Sequence, residues 1–388
     1  MDHPPCSQLP AHDYLDRQDR VSYTLPQKKF LSISTSMENI MSEQQAHSAK
    51  AGLNDQSQPG EFLIRKYSPA QMAAVYLFRM MLALISLPLR IGGFPLRKAL
   101  YIGIGTLLYH LMRRYRRIML TNLDIVFGNE KSPAEKKRIA LGCFRHFVRV
   151  GLDFLFTDIY FPPESLVNIT IENYEYFTQA LEGKRGFCGV TGHLGNWELC
   201  GAILIQQGIP MSVIYKRMSS AVFDWIIGQK RIKYGFDLLQ VPRQDKGIVN
   251  GKVVKKERES LRDMIEYNLL KRNRSVDFVI DQYATSGKKS VDVPFFDIPA
   301  PTHVGCIKYA LEFDSPIIFA VCVYEGDVLR IIVHPPIRVE RKNDEETTYI
   351  YWLTELNRKL EDLIRRYPEQ WSWGHRRYYR YHYKTKKK

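Results

Sequence analysis

The sequence has 388 residues, 45% of them hydrophobic, and carries a formal net charge of +15. This length and apolar content suffice for one large domain or two ordinary ones, which excludes a chain that is disordered throughout. The positive charge indicates an anionic partner, and nucleic acid, anionic lipid and phosphorylated or acidic small substrates are the candidates. The six cysteines stand singly, without a CxxC pair or a zinc-type spacing, so we expect a reduced compartment and no metal site.

Residues 1–60 are rich in Ser, Gln, Asp and Pro and lack hydrophobic periodicity. They also lack the positively charged region followed by an apolar region that marks a secretory signal. We therefore expect a disordered leader over 1–60 and not a signal peptide.

Residues 61–118 are expected to form apolar helices that associate with a membrane. The run 72–89 is about as long as a bilayer span requires, although Arg79 near its middle would cost roughly 2.5–3.5 kcal/mol on insertion scales. The run 99–112 is too short to span comfortably. It is followed by a basic cluster that suits a cytoplasmic membrane surface, Arg113, Arg114, Arg116 and Arg117. Two buried core helices are the alternative interpretation.

Residues 119–388 are expected to form the main domain, ending in a basic tail. The segment 119–160 has a helical pattern, and Ser132, Pro133 and Glu135 have the spacing of a helix start. From Gly186 onward, short apolar runs alternate with helical patterns, which predicts an α/β fold with a mixed sheet flanked by helices. The predicted strands are 187–191, 211–215, 237–241, 276–280, 316–324 and 328–333, and the predicted helices are 196–207, 220–234, 257–272, 302–313 and 345–366.

The stretch TGHLGNWEL places His193 and Glu198 five positions apart, directly after a predicted strand. In one continuous helix these two residues would lie on different faces, so a shared site requires the break that Gly192 and Gly195 supply. We expect His193 on a loop, Asn196 as the helix N-cap and Glu198 in the first turn, with its carboxylate turned back toward the imidazole. Such a pair is a general base with its orienting acid, beside a helix N-terminus that can stabilise an oxyanion. A loop histidine with a helix-capping acid is the alternative.

Four blocks, in order along the chain, resemble the lipid A biosynthesis acyltransferases, the late acyltransferases that add a secondary acyl chain to a lipid A precursor. The likeness covers about residues 65–380. The chain departs from the family pattern at Asp297, where the family usually has glycine, and at Cys200 and Tyr283. The four blocks are TNLDIVFGN from Thr121, TGHLGNWEL from Thr191, DQYATSGKKSVDVPFFDIPAPTHVG from Asp281 and YPEQWSWGHRRY from Tyr367.

The resemblance implies a glycerolipid-acyltransferase-like fold and an O-acyltransferase activity at the cytoplasmic face of a bacterial inner membrane. His193, oriented by Glu198, would deprotonate a hydroxyl of a lipid A precursor, which then attacks an acyl thioester. The donor would be acyl carrier protein, whose acidity suits the basic surface, or acyl-CoA. No tightly bound cofactor and no metal are implied. Another glycolipid or a lysophospholipid is the alternative acceptor.

Five further residues are candidates for binding substrate. Asp281 and Gln282 follow a predicted strand and therefore lie at its carboxyl end, where open α/β sheets place their ligands. Gly195 and Asn196 lie in the same loop as His193 and are expected to contact substrate as well. Arg231 is expected to meet the anionic acceptor or the phosphopantetheine of the donor. The alternatives are a turn-stabilising role for Asp281 and a role in complementing the helix dipole for Arg231.

The C-terminal segment 374–388, GHRRYYRYHYKTKKK, interleaves basic residues with tyrosines and contains no acid. Such a segment can bind nucleic acid through phosphate contacts and stacking, or it can lie on anionic lipid. The Pro-Glu-Gln-Trp block before it favours the membrane, and the sequence has no zinc-finger, RNP or helix-turn-helix pattern. We therefore expect no nucleic-acid partner. A non-catalytic basic protein that binds membrane or nucleic acid is the competing class.

Overall fold

The computed structural model describes most of the chain after Lys66. The leader predicted over 1–60 lies outside the described residues, except for one short strand, and so does the tail from Lys384 to Lys388. The described ranges are 22–24, 67–160, 168–241, 246–249, 252–255, 260–284 and 289–379.

A mixed sheet forms the centre of the molecule, with the strand order β1-β2-β12-β11-β3-β8-β4-β5. Strands β11, β3, β8, β4 and β5 run parallel, whereas β12 and β2 run the other way. Two further antiparallel pairs stand apart, β6 with β7 and β9 with β10. The strands in the described residues are β1 Ser22–Thr24, β2 Asn168–Glu172, β3 Phe187–Thr191, β4 Met211–Tyr215, β5 Asp237–Gln240, β6 Lys246–Val249, β7 Lys252–Lys255, β8 Ser275–Val279, β9 Ser290–Phe295, β10 Ile298–His303, β11 Ile317–Glu325 and β12 Val328–Val333.

Helices cover both faces of this sheet, which confirms the predicted α/β class. Within the described part, helix α8 continues as a π-helix over Tyr267–Lys271, and a short 3-10 helix covers Pro368–Gln370. The helices are α1 Pro69–Leu111, α2 Arg113–Phe127, α3 Pro133–Leu155, α4 Thr157–Tyr160, α5 Glu175–Glu182, α6 Trp197–Gln206, α7 Ala221–Lys233, α8 Leu261–Glu266, α9 Gly305–Phe313 and α10 Glu345–Arg366.

The predicted elements after residue 186 recur in the structure with small shifts at their ends. Strands β3, β4 and β12 and helix α10 have the predicted bounds. The helix predicted over 302–313 begins later, at Gly305, because Thr302 and His303 pair with β9. At the turn between β9 and β10, Phe296 and Asp297 both have positive φ, +53° and +59°. Asp297 stands where the lipid A acyltransferases usually have glycine, and its positive φ explains that preference. Aspartate adopts this conformation more readily than most other residues.

The core has two layers, one on each side of the sheet. Strand β11 is apolar on both faces, as expected for a strand covered on both sides. Phe319 and Val321 alternate with Ile318 and Cys322, and the two sets belong to different buried clusters. The first cluster also contains residues of α2, α3, α9 and α10, and the second contains residues of α5 and α6. The loop with His193 is thus held by buried apolar neighbours on either side, Val190 before it and Leu199 after it.

Helix α1 carries an exposed apolar surface. It begins at a capping box in which Ser68 and Gln71 bond to each other's backbone, and it bends at Gly93, whose φ is +52°. Its most apolar window has a mean hydropathy of 1.9 and is only 11% buried, so by length and composition the helix is able to cross a membrane. This exposure does not fit the alternative of two buried core helices. Arg79 lies over the Trp225 ring of α7, 5.3 Å from its centre.

Candidate active site

The loop between β3 and α6 carries His193, as predicted. Strand β3 ends at Thr191, and Asn196 caps α6 by accepting a hydrogen bond from the Leu199 N–H at 3.0 Å. Gly195 has φ +65°, and a side chain there would overlap the carbonyl oxygen of Cys322. The loop therefore needs glycine at this position both for its conformation and for its close contact with β11.

The carboxylate that contacts His193 belongs to Asp281. Its Oδ1 accepts a hydrogen bond from His193 Nδ1 at 2.8 Å, and its Oδ2 accepts one from the His193 backbone N–H at 2.6 Å. The sheet register explains this pairing. Strands β3 and β8 are parallel neighbours in which Thr191 lies opposite Val279, so the residues two positions further on come side by side.

His193 and Asp281 are both largely buried, and each shifts the pKa of the other. Burial would lower the pKa of His193, but the charge of Asp281 and the hydrogen bond to it outweigh burial and raise the pKa above its ordinary value. Burial would likewise raise the pKa of Asp281, but His193 and the Trp371 N–H lower it to about 2. Asp281 is therefore ionised at neutral pH and holds the His193 ring in a fixed orientation.

Glu198 does not make the contact predicted for it. Both of its oxygens accept hydrogen bonds from Arg231, from Nε at 3.0 Å and from Nη2 at 2.6 Å. The prediction that the Glu198 carboxylate contacts the imidazole was wrong. The first turn of α6 directs this carboxylate toward Arg231 of α7, and Asp281, which follows β8, contacts the imidazole instead. Glu198 still acts on His193 at a distance, since its negative charge contributes to the raised pKa of the histidine.

The open side of His193 is bordered by three side chains. Gln282 is exposed, and its Nε2 donates a hydrogen bond to His193 Nε2 at 2.8 Å. The Trp197 and His375 rings lie with their centres 4.8 Å and 5.4 Å from that of His193. Burial and the neighbouring His193 lower the pKa of His375, which favours its neutral form. These three side chains are thus the neighbours of His193 on the side opposite Asp281, and Gln282 contacts its Nε2.

The C-terminal block YPEQWSWGHRRY packs against Asp281 and the loop that carries His193. The buried Trp371 donates its indole N–H to Asp281 Oδ2 at 2.8 Å. The backbone of the same block binds the loop, since the Gly195 N–H donates to the Gln370 carbonyl and the Ser372 N–H donates to the His193 carbonyl. The sequence contained this block as part of the resemblance but gave no sign that Trp371 and His375 reach the histidine.

Gly195 and Asn196, the candidate substrate residues of the loop, make hydrogen bonds within the protein. The Asn196 side chain is fully buried, and besides capping α6 it donates to the Tyr324 hydroxyl at 2.7 Å. Gly195 uses its N–H on Gln370, and His146 Nε2 lies 3.1 Å from its carbonyl oxygen. These polar groups are thus engaged within the protein, and the substrate contacts predicted for Gly195 and Asn196 stay a prediction. Among the described residues, no group of three or more His, Cys, Asp or Glu side chains could hold a metal ion.

A model of the bacterial lipid A biosynthesis acyltransferase family matches residues 65–380. The chain belongs to this family. It is 25% identical over 291 residues to the lipid A biosynthesis lauroyltransferase of Escherichia coli K12, which covers 74% of this chain and 86% of that protein. It is 24% identical over 283 residues to the lipid A biosynthesis palmitoleoyltransferase of the same strain, which covers 71% of this chain and 82% of that protein.

Among solved structures, the chain is similar to the 1-acyl-sn-glycerophosphate acyltransferase of Thermotoga maritima, with 16% identity and a TM-score of 0.30 over 64% of this chain and 97% of that one. Family membership makes the protein a lipid A biosynthesis acyltransferase, an enzyme that forms O-acyl esters. The competing class, a non-catalytic basic binding protein, is thereby set aside.

In this acyltransferase, replacing Gly195 by alanine is expected to unfold the loop that carries His193. The new Cβ combines an unfavourable positive φ with a clash against the β11 backbone, which cannot move away without breaking the sheet. Gly326→Ala is the matched control, because Gly326 has φ +61° with no atom within 4 Å of the added Cβ. The free energy of unfolding of the control should fall by about 1–2 kcal/mol, because alanine is strained at this positive φ. Thermal unfolding of both variants measures the difference, and equal losses would contradict the clash.

Proposed function

We infer that the protein moves a fatty acyl chain from an acyl thioester to a hydroxyl of a lipid A precursor, with His193 as general base. The donor is acyl carrier protein, with acyl-CoA as the alternative, and the reaction takes place at the cytoplasmic face of a bacterial inner membrane. The observation that carries the chemistry is the His193–Asp281 pair, whose second ring nitrogen faces the open side of the site. Family membership and the names of the relatives support the acyl transfer and the acceptor.

The Asp281 contact determines which ring nitrogen acts as the base. Because Nδ1 donates its proton to the ionised carboxylate, Nε2 is the nitrogen with a free lone pair in the neutral ring. Nε2 takes the proton of the acceptor hydroxyl while the hydroxyl oxygen attacks the thioester carbonyl carbon. The tetrahedral intermediate then expels the thiolate, the C–S bond breaks, and the imidazolium returns the proton to sulfur.

The beginning of α6 supports the charge that develops on the carbonyl oxygen. Trp197 and Glu198 are its first two residues, and N–H groups at these positions have no acceptor within the helix. Such groups bind anions and oxyanions. The Trp197 ring packs against His193, so this helix start adjoins the base.

Gln282 occupies the position that the acceptor hydroxyl needs. Its amide nitrogen lies at hydrogen-bond distance from His193 Nε2, the same atom that must accept the substrate proton. The side chain is exposed and is therefore able to rotate away when substrate enters. After rotation it is placed to bind the hydroxyl or sugar beside the histidine, which is consistent with the substrate-binding role predicted for it.

The molecular surface supports a membrane location and an acidic carrier. Helix α1 exposes its apolar side, and the net charge of +15 favours anionic lipid and acyl carrier protein alike. The basic cluster predicted to lie on the membrane begins α2, which runs from Arg113 to Phe127 across the predicted boundary between residues 118 and 119. The apolar helix and the main domain are thus connected by one basic helix.

Acyl transfer by the full chain in detergent micelles tests this function. The donor is acyl carrier protein thioester, the acceptors are a tetra-acylated lipid A precursor and a lysophospholipid, and each product is measured separately. We expect product only with the lipid A precursor. Transfer to the lysophospholipid alone would overturn the acceptor but keep the chemistry, and an absence of thioester reaction by folded protein would overturn the activity.

A further inference from the structure

A cleft lies between the apolar helix α1 and the main domain. Its volume is about 460 Å³, within the size range of small-ligand sites. Helix α1 contributes Arg79, Leu82, Ala83, Ser86 and Arg90, whose spacing places them on one face of the helix. None of the catalytic cluster around His193 lines it, so this cleft is separate from the candidate active site.

The opposite wall is one face of α7. Gln229, Lys230 and Lys233 line the cleft from this side, and Trp225 lies at the end where Arg79 packs over its ring. Arg231, between the two lysines, points elsewhere and binds Glu198. Helix α7 therefore directs Arg231 toward Glu198, and Lys230 and Lys233 toward the cleft.

The lining combines cationic groups with an apolar floor. The basic residues Arg79, Arg90, Lys230 and Lys233 lie around it. The apolar part of the lining, called the floor, includes Phe156 and Ile159. Guanidinium and ammonium groups are the usual protein ligands of phosphate, and the apolar floor suits hydrocarbon. A molecule that offers both chemistries is a phosphate-bearing lipid.

The cleft also opens beside the surface most suited to the bilayer. Along α1, the neighbouring face exposes Leu77, Met80, Leu84, Leu87 and Ile91. A lipid in a membrane that contacts this face can move sideways into the cleft without leaving the apolar phase. Each basic residue near such a surface adds to the attraction for anionic lipid.

We propose that the cleft between α1 and α7 binds the phosphate group of a membrane lipid, with an acyl chain of that lipid on the apolar floor. Two lipids supply this chemistry, an anionic phospholipid of the surrounding bilayer and the phosphorylated acceptor itself. Binding does not involve His193 and needs no turnover. If lipid binding in the cleft is disproved, the acyl-transfer function still stands. If acyl transfer is disproved, lipid binding in the cleft still stands.

The test is a binding titration of the full chain in a neutral detergent. Short-chain phosphatidic acid is the probe, diacylglycerol with the same chains lacks the phosphate, and inorganic phosphate lacks the chains. Tryptophan fluorescence reports binding, and the Trp225→Phe variant identifies the part of the signal that comes from the cleft. We expect saturable binding of phosphatidic acid that is tighter than binding of either partial probe.

Charge variants test whether the cleft itself is the site. Arg79→Gln combined with Lys233→Gln should weaken phosphatidic acid binding about ten-fold or more, the effect of losing charged hydrogen bonds. Lys98→Gln combined with Lys137→Gln removes the same charge at exposed positions outside the cleft and should leave binding unchanged. Equal binding of phosphatidic acid and diacylglycerol, or an equal loss in both double variants, would overturn the proposal.

Competition identifies the source of the lipid. Phosphatidylglycerol and the tetra-acylated lipid A precursor are each added to protein already loaded with phosphatidic acid. Displacement by phosphatidylglycerol at lower concentration assigns the cleft to the bilayer lipid, whereas stronger displacement by the precursor assigns it to the acceptor. Displacement by neither would contradict a membrane-lipid site.

Discussion

Acyl transfer by the His193→Ala variant is expected to fall by on the order of 10²- to 10⁴-fold, the range that general base catalysis contributes. The variant loses the Nε2 lone pair that accepts the hydroxyl proton, while the helix start beside it stays in place. The measurement is the initial rate with acyl carrier protein thioester and the lipid A precursor at saturating concentrations. A wild-type rate from the folded variant would exclude His193 as the base.

Asp281 and Glu198 can be compared directly in the same assay. Asp281→Asn removes the charge that holds the ring and leaves the His193 tautomer undefined, so we expect a large loss close to that of His193→Ala. Glu198→Gln keeps an oxygen for Arg231 and does not touch the imidazole, so its loss should be much smaller. A larger loss in the Glu198 variant would reverse the assignment of the orienting acid.

The pH profile supplies a readout that a merely structural role of Asp281 would not change. The raised pKa of His193 means that the free base is scarce at low pH, so kcat/KM should rise with pH up to a point above the ordinary histidine value of 6.5. Removing the Asp281 charge lowers this pKa. The rising limb in Asp281→Asn should therefore move to lower pH, even as the maximum rate falls, and an unmoved limb would contradict the coupling.

The sequence was sufficient for the local parts of the site. The apolar run before Thr191, the glycines around His193 and the Asn196 cap are short-range patterns, and each has the predicted conformation. The capping box at Ser132 and Glu135 was found for the same reason. Such features depend on residues within one turn or one strand end, where backbone geometry alone determines the outcome.

The partner of His193 could not be predicted from local patterns. Asp281 lies 88 residues further along the chain and reaches the histidine only because β8 is placed next to β3 with one particular register. Glu198 was the nearer acid in sequence, but a helix start directs its side chain by rotation about the helix axis and brought it to Arg231. Strand order and register are non-local, so the prediction favoured the sequence neighbour over the spatial one.

Arg97→Met is expected to destabilise the protein by up to about 3–5 kcal/mol, the cost of removing one partner of a buried ion pair. Arg149 stays 3.9 Å from Asp153 and offsets part of this cost. Arg97 lies on α1, is fully buried, and donates to Asp153 Oδ1 at 3.0 Å. The other oxygen of Asp153 accepts from the Tyr324 hydroxyl, which in turn accepts from Asn196 at the start of α6. This buried chain of contacts connects the apolar helix with the catalytic loop, so the loss should reduce activity together with stability.

The charge of Asp153 makes the Arg97 effect dependent on pH. Burial already raises the pKa of Asp153 above its ordinary 3.8 despite Arg97 and Tyr324, and the variant removes the strongest opposing charge, so its pKa rises further. As the pH increases above 3.8, ionisation of Asp153 lowers the free energy of the unfolded chain more than that of the folded variant, so the loss of stability grows with pH.

Unfolding of the detergent-solubilised chain should therefore show Arg97→Met approaching wild type as the pH is lowered. Adding Asp153→Asn should recover part of the stability at neutral pH, because asparagine keeps an acceptor for Tyr324 without a charge. A deficit that neither low pH nor the second substitution relieves would place the cost in lost packing around the Phe94 ring, over which the Arg97 guanidinium lies. Packing, and not the Arg97–Asp153 ion pair, would then connect the apolar helix α1 with the loop that carries His193.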